Sequence, residues 1–227
     1  MPLAVTAENL IEIAKNSCQN QGFNWPSDLE NLLLLCFAEP ALFPKKGKLD
    51  INFLTEKAEI ESYLTKYTQK FFMERESTIQ FKNVATLPDP AVDEVLHSFA
   101  NVPSNDLDKM KEYHRLSMAA ENLIGSLLER YIASRLDKSG WIWACGETLR
   151  AVDFFKPGSP PSLLQVKNRS NSENSSSSAI RIGTNIQKWY RINAANGQTN
   201  WEDLQTKTGV ILSEDDFYAF IRLTAKG

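Results

Sequence analysis

The segment DFFKPGSPPSLLQVK, residues 153–167, decides the fold of this chain. Two short apolar runs flank a connector rich in proline, glycine and serine, a composition typical of a turn between neighbouring strands. Side chains alternate along a strand, so Gln165 and Lys167 point to one face and Val166 points to the other. Asp153 lies between Val152 and Phe154, so it is an acid within a preceding strand that otherwise buries apolar groups. The acid, the glutamine and the lysine can therefore converge on one point of the predicted sheet.

This convergence predicts a site for Mg²⁺, an ion that prefers an octahedron of oxygen ligands. Asp153 offers a carboxylate, Gln165 an amide oxygen and Val166 a backbone carbonyl. Lys167 is expected to orient or help deprotonate an attacking water, or to offset the charge of a phosphate. A site with one carboxylate is short of negative charge, so a further acid is needed.

The further acid is predicted to come from a long helix at about residues 109–137. Glu121 lies at the centre of its apolar face, in helical register with Leu128. A carboxylate that points into a core is costly unless it is paired or bound to a metal. Glu121 is therefore predicted to complete the metal site. The alternative is a core-edge acid paired with Arg150 or Lys167.

Other polar candidates are expected to have lesser roles. Glu129 lies at the edge of the same helical face and is expected to form a surface ion pair. Glu147, in the turn before Asp153, is a candidate outer acid. His97 and His114 are expected to be partly buried or solvated helix residues rather than bases.

The chain is predicted to divide near NVPSND, residues 101–106, which combines a proline with helix-capping residues. Residues 1–105 are predicted to be helical, and residues 106–227 are predicted to form an α/β or α+β core. A helix is predicted at about residues 184–193, so residues 168–195 would form a polar loop followed by a helix. Strands are predicted at residues 141–145, 149–155, 163–167, 209–212 and 217–223.

The charge distribution favours a local site for nucleic acid. The net charge of −3 argues mildly against a coat-like nucleic-acid binder, but the field depends on where the charges lie. Residues 165–191 carry five basic residues against one acid, a net charge of +4. The polar loop within this segment can bond to phosphates or base edges, or it is a flexible linker. The predicted DNA-binding residues are Asn168, Arg169, Asn171, Asn174, Ser176, Arg181 and Lys188.

Composition excludes some classes of protein. With three dispersed cysteines and two histidines, a zinc site is not expected, and the thiols should be reduced. The longest apolar run, residues 32–38, is too short to span a bilayer, and the N-terminus lacks the layout of a signal peptide. A cytoplasmic protein without a membrane segment is therefore expected.

The spacing of Asp153, Gln165 and Lys167 resembles the D-x11-(D/E)-x-K pattern of the PD-(D/E)XK nuclease superfamily. Gln165 stands where that pattern usually has an acid. The stretch LLQVKNRSNSENSSSSAIRIGTNIQKW, residues 163–189, is similar to the SinI-type restriction endonucleases in particular. The resemblance implies a restriction-endonuclease-like core, in which a mixed sheet is flanked by helices.

The same resemblance implies a function. It implies a homodimeric, Mg²⁺-dependent type II restriction endonuclease that cuts both strands of duplex DNA at the palindromic site GGWCC, after the first G. It also implies a DNA methyltransferase of the same specificity as a partner in the cell. Two rival functions remain open. One is a structure-selective repair or junction nuclease of the same superfamily, and the other is a non-catalytic DNA-binding module in which Gln165 marks a decayed site.

Overall fold

The N-terminal half of the protein is helical. The computed structural model describes residues 6–82, 89–170, 181 and 183–226. The first four helices are α1 (Ala7–Asn20), α2 (Ser27–Ala38), α3 (Lys57–Glu76) and α4 (Pro90–Ala100). The hydroxyl of Thr6 accepts a hydrogen bond from the backbone N–H of Asn9 at 3.3 Å, which caps the start of α1. The predicted helical character of this half is confirmed.

The longest helix, α5, spans Ser104–Leu136. Its buried residues begin at Ala119, and the main buried stretch begins at Leu127. The preceding helix, α4, has no buried residue and is joined to α5 by an ion pair between Asp93 and Lys111 at 2.5 Å. Only the second half of α5 therefore packs on the sheet.

In the described part of the chain, four strands form one mixed sheet. They are β1 (Ile142–Trp143), β2 (Phe154–Lys156), β3 (Ser162–Arg169) and β4 (Ile186–Ile192). The strand order is β1-β2-β3-β4; β2 is antiparallel to both of its neighbours, whereas β4 is parallel to β3. The antiparallel pairing of β2 with β3 and the predicted mixed sheet are both confirmed.

The first two strands are shorter than the runs predicted at residues 141–145 and 149–155. Ala151 has a φ of 58° and turns the chain immediately before the second of these strands. Asp153 therefore lies at the entrance to β2 rather than within its ladder.

The helix predicted at about residues 184–193 is wrong, because this segment forms β4. Its apolar residues mimic a helical spacing, since a strand that is buried on both faces need not alternate. Ile186 belongs to the core on one face of the sheet and Trp189 to the core on the other. The proposed recognition segment, residues 168–195, thus ends in a strand.

The two strands predicted near the C-terminus are also wrong. Residues 209–212 form no strand, and residues 217–223 lie in a helix. The helices here are α6 (Trp201–Thr208) and α7 (Glu214–Thr224). The hydroxyl of Ser213 caps α7 by accepting a hydrogen bond from the N–H of Asp216 at 3.2 Å, and three acids occupy its first turn.

The sheet separates two apolar cores. On one face, α1, α2 and α3 pack against a group that includes Phe155 and Leu163. On the other face, the second half of α5 packs with α6 and α7 against Phe154, Leu164 and Trp189. The helical half and the sheet thus share a core, which fixes the position of the sheet end that carries Asp153. None of the helices in the described ranges is both long enough and apolar enough to cross a membrane.

Candidate active site

Asp153 is fixed at the edge of the ladder by backbone hydrogen bonds. Its N–H donates to the carbonyl of Leu164 at 2.9 Å, and its carbonyl accepts from the N–H of Ala144 at 2.9 Å. Its Oδ2 accepts from the N–H of Val166 at 2.6 Å. Burial raises the pKa of this carboxyl, whereas the Val166 N–H and the charge of Lys167 act to lower it. The structure therefore brings Asp153 within electrostatic range of Lys167.

Glu129, on α5, supplies a second carboxylate at this place. Burial and the nearby charge of Asp153 raise the pKa of Glu129 from 4.5 to about 8. The ammonium of Lys167 acts in the opposite direction. The indole of Trp143 also acts to lower the pKa of Glu129. Its N–H lies near the carboxyl but forms no hydrogen bond of normal geometry with the described residues. Two acids this close repel each other when both are ionised, so a cation bound between them would be stabilised.

The prediction that Glu121 points into the core is wrong. Its side chain is exposed and lies 3.8 Å from the guanidinium of Arg169. Glu121 precedes Glu129 by eight residues, which is about 12 Å along a helix axis. This places Glu121 before the main buried stretch of α5, so Glu129, expected to form a surface pair, is the acid that lies near Asp153.

Gln165 follows Leu164, the ladder partner of Phe154, and therefore lies opposite Asp153 on the neighbouring strand. We call Glu129, Asp153, Gln165 and Lys167 the Asp153 cluster. Gln165 is 2% exposed, and its side-chain oxygen accepts no hydrogen bond from the described residues. A buried amide oxygen without a donor is costly, and a cation that prefers oxygen ligands would satisfy it. Two carboxylates and this oxygen fit a hard divalent ion. Among the described residues no three acids, histidines or cysteines gather as a metal site.

Two of the predicted DNA-binding cations lie together beside the end of β3. The ammonium of Lys188 donates to the carbonyl of Ser170 at 3.3 Å. Burial and the neighbouring charge of Arg181 lower the pKa of Lys188, so the two cations are close. Arg169 is more than half exposed. Three further predicted residues, Asn171, Asn174 and Ser176, lie outside the described part of the chain.

Asn168 takes part in a structural network that the sequence does not reveal. Its side-chain oxygen accepts a hydrogen bond from Nε of Arg191 at 3.0 Å. Arg191 is 5% exposed and pairs with Glu214, which accepts from the indole of Trp201 at 2.8 Å. Arg191 is one of the five bases of residues 165–191, yet it joins β4 to α7 instead of adding charge to the surface.

The remaining candidates lie outside the Asp153 cluster. Glu147 pairs with Lys70 at 2.9 Å, and this pair lowers the pKa of Glu147. His97 and His114 are exposed on α4 and α5. The three cysteines are buried and form no disulfide; they are Cys18, Cys36 and Cys145.

The raised pKa of Glu129 predicts that stability depends on pH in metal-free buffer. The folded protein keeps a proton on Glu129 up to about pH 8, whereas the unfolded chain releases it near pH 4.5. This stabilisation is complete below about pH 4.5 and is lost as the pH rises through about 8. We therefore expect Glu129→Gln to flatten the decline of melting temperature over this range, as measured by thermal unfolding in EDTA.

Glu121→Gln is the matched control for this measurement, because it removes an exposed carboxylate from the same helix. Its melting temperature should follow the wild-type dependence on pH. If the wild type and Glu129→Gln showed the same dependence, Glu129 would not hold a proton in the folded state.

A mixed sheet flanked by helices, with two acids, an amide and a lysine at its end, is consistent with a restriction-endonuclease-like fold. Comparison with models of protein families identifies the family, because residues 39–225 match the model described as SinI restriction endonuclease. The chain belongs to this family and is a type II restriction endonuclease. The resemblance seen in the sequence is confirmed.

Two relatives match over most of their length. The type II restriction enzyme SinI of Salmonella infantis is 39% identical over 220 residues, which cover 94% of this chain and 93% of the relative. The type II restriction enzyme Eco47I of Escherichia coli is 41% identical over 190 residues, which cover 82% and 80%. Type II restriction endonucleases act on DNA and generally use divalent metal ions.

Proposed function

We propose that this protein cuts both strands of duplex DNA at GGWCC by Mg²⁺-dependent hydrolysis of a phosphodiester in each strand. The observation that carries the chemistry is the Asp153 cluster, in which two carboxylates with raised pKa values lie near Lys167. The unsatisfied oxygen of Gln165 supports a neutral ligand at the position where the superfamily usually has an acid. The site GGWCC is proposed from the resemblance to the SinI type.

The residues of the Asp153 cluster have different roles in the proposed reaction. Mg²⁺ would be held by Asp153, Glu129, the amide oxygen of Gln165 and the carbonyl of Val166. When bound, it supplies charge neutralisation and Lewis acidity at the phosphate that is cut. Lys167 orients the attacking water or offsets charge on the phosphate. The hydrogen bond from Val166 to Asp153 keeps that carboxylate in one orientation throughout.

The residues after β3 are proposed to contact DNA. Arg181 and Lys188 form a pair of neighbouring cations suited to phosphates or to the O6 and N7 acceptors of guanine. Each good base contact would contribute about 1–3 kcal/mol of discrimination. Arg169 and Asn168, with the loop residues Asn171, Asn174 and Ser176, are proposed to contribute further contacts.

The assembly and the cellular setting are also proposals. A palindromic site is read most economically by a two-fold dimer, so we propose a homodimer. We propose that the enzyme acts in the cytoplasm, where it would meet DNA. A methyltransferase of the same specificity would protect the host sites there.

The deciding experiment is digestion of a linear duplex that carries one GGWCC site and one scrambled copy, in Mg²⁺, followed by sequencing of the ends. We expect two fragments whose ends lie after the first G on each strand. Discrete cuts elsewhere would keep the restriction activity and overturn the proposed site. Cutting restricted to branched DNA would favour a repair nuclease, and no cutting of any substrate would favour a binding module.

A further inference from the structure

A basic groove lies between α3 and α5, and we call it the α3–α5 groove. It has a volume of about 1040 Å³, and the described residues that line it include six basic side chains and two acidic ones. The lining therefore carries a net charge of +4 in a chain whose net charge is −3. The basic residues are Lys45, Lys46, Lys66, Lys70, Lys82 and Arg130.

Both acids of the groove are paired with basic residues of the same lining. Glu74 lies 3.1 Å from Arg130, and Glu147 lies 2.9 Å from Lys70. Of the other four lysines, Lys45 lies 3.6 Å from Asp50, which is outside the lining, so the excess positive charge rests on Lys46, Lys66 and Lys82. Like charges gathered along one groove create a local positive potential that attracts a polyanion.

Lys46 is the buried member of this set, at 4% exposure. Its ammonium donates to the carbonyl of Gly146 at 3.3 Å and to the carbonyl of Glu147 at 3.0 Å. Burial and the charge of Lys70 lower the pKa of Lys46 to about 8. No carboxylate in the described part of the chain forms an ion pair with Lys46, so an anion in the groove would favour its charged form.

The floor of the groove is held by a glycine that no other residue can replace without a shift. Gly146 has a φ of 66°, and a Cβ there would come within 2.4 Å of the carbonyl oxygen of Lys70. The loop thus lies directly against α3. This close approach fixes the two carbonyls that hold the ammonium of Lys46.

The α3–α5 groove adjoins the Asp153 cluster. Glu74, which lines the groove, lies 3.1 Å from the guanidinium of Arg130. Arg130 follows Glu129 on α5, and its guanidinium lies 5.5 Å from the ring centre of Trp143. An anionic chain that enters the cluster would therefore continue into the groove.

We infer that the α3–α5 groove binds the phosphodiester backbone of duplex DNA beside the phosphate that is cut. The inference rests on the proposed function, since it takes the Asp153 cluster as the place of cutting. Duplex DNA carries about one negative charge per 1.7 Å of helix axis, so a groove with three lysines that form no ion pair among the described residues can meet several phosphates.

The test uses the exposed lysines, whose removal leaves the core intact. The affinity of the Lys66→Ala/Lys82→Ala variant for duplex DNA is measured in EDTA between about 50 and 200 mM salt. Each lost phosphate contact should lower the slope of log K against log salt by about 0.9, so the double variant should lose nearly 2. The loss should be the same on duplexes with and without GGWCC, because backbone contacts carry no sequence information.

The matched control is Lys57→Ala/Lys109→Ala, which changes the net charge equally but removes exposed lysines outside the groove, each paired with an acid. Its slope should stay close to the wild-type value. Equal slopes for the two double variants would overturn the inference.

Digestion by the wild type in Mg²⁺ separates the two proposals. If the wild type cuts GGWCC but the groove variant keeps the wild-type salt slope, only the inference about the groove is wrong. If the wild type never cuts DNA, the proposed function is wrong.

Discussion

Replacing Asp153 by asparagine is expected to lower DNA cleavage by at least about 1,000-fold while the protein stays folded and binds DNA. Loss of a carboxylate that holds the metal removes several kcal/mol of charge stabilisation from the transition state, and about 1.36 kcal/mol corresponds to a factor of ten. An asparagine oxygen can still accept the hydrogen bond from Val166, so the local backbone is retained. Single-turnover digestion at saturating enzyme measures the cleavage step directly.

The thermal stability of Asp153→Asn separates a chemical role from a structural one. Burial raises the pKa of the native carboxyl, which shows that its charged form is disfavoured at this place. A neutral amide avoids that cost, so the melting temperature near neutral pH should equal or exceed the wild-type value. Asp137→Asn, at the exposed end of α5, is the control that should cut normally. An Asp153→Asn protein that cuts at the wild-type rate would remove Asp153 from the mechanism.

The strand pairing at the centre of the candidate site could be predicted from the sequence because its geometry is local. The turn-rich connector sets β2 against β3, and strand alternation then puts Gln165 and Lys167 on one face. The position of Asp153 next to Val166 follows from that pairing. No knowledge of distant parts of the chain is required for this part of the structure.

The secondary-structure elements that were predicted wrongly are those whose burial depends on distant partners. β4 lies between two cores, so its apolar residues Ile186 and Trp189 are three positions apart, as they would be on one face of a helix. In α7, Ser213 and the acids after it are signals of a helix start, but the apolar run that follows them resembles a strand. Short apolar runs remain ambiguous until their neighbours are known.

The error at Glu121 has a different cause. Helical periodicity tells which face of α5 is apolar, but it does not tell where along the axis the sheet begins. Glu121 has the right angular position and is exposed, because the main buried stretch begins only at Leu127. Glu129 has a less central position on the face but lies at the level of Asp153.

This difference sets up the second large effect: Glu129→Gln is expected to lower cleavage by about 100-fold or more, whereas Glu121→Gln leaves it within about twofold. Glu129 shares its charge with Asp153 at the proposed metal position, so a neutral amide weakens the hold on the ion. Glu121 only pairs with Arg169 at the surface, and such pairs contribute about 0–1 kcal/mol. Cleavage measured against Mg²⁺ concentration should show a raised metal requirement for Glu129→Gln alone.

The two variants are matched, because each exchanges one carboxylate for an amide on the same helix and changes the net charge equally. A general loss of DNA binding through altered charge would therefore affect both, and only a role at the Asp153 cluster separates them. Equal activity of the two variants would mean that α5 supplies no metal ligand, and Asp153 would have to hold the ion with neutral oxygens. Reduced cleavage by Glu121→Gln alone would mean that Glu121, as the helical periodicity predicts, is the acid that α5 supplies to the metal.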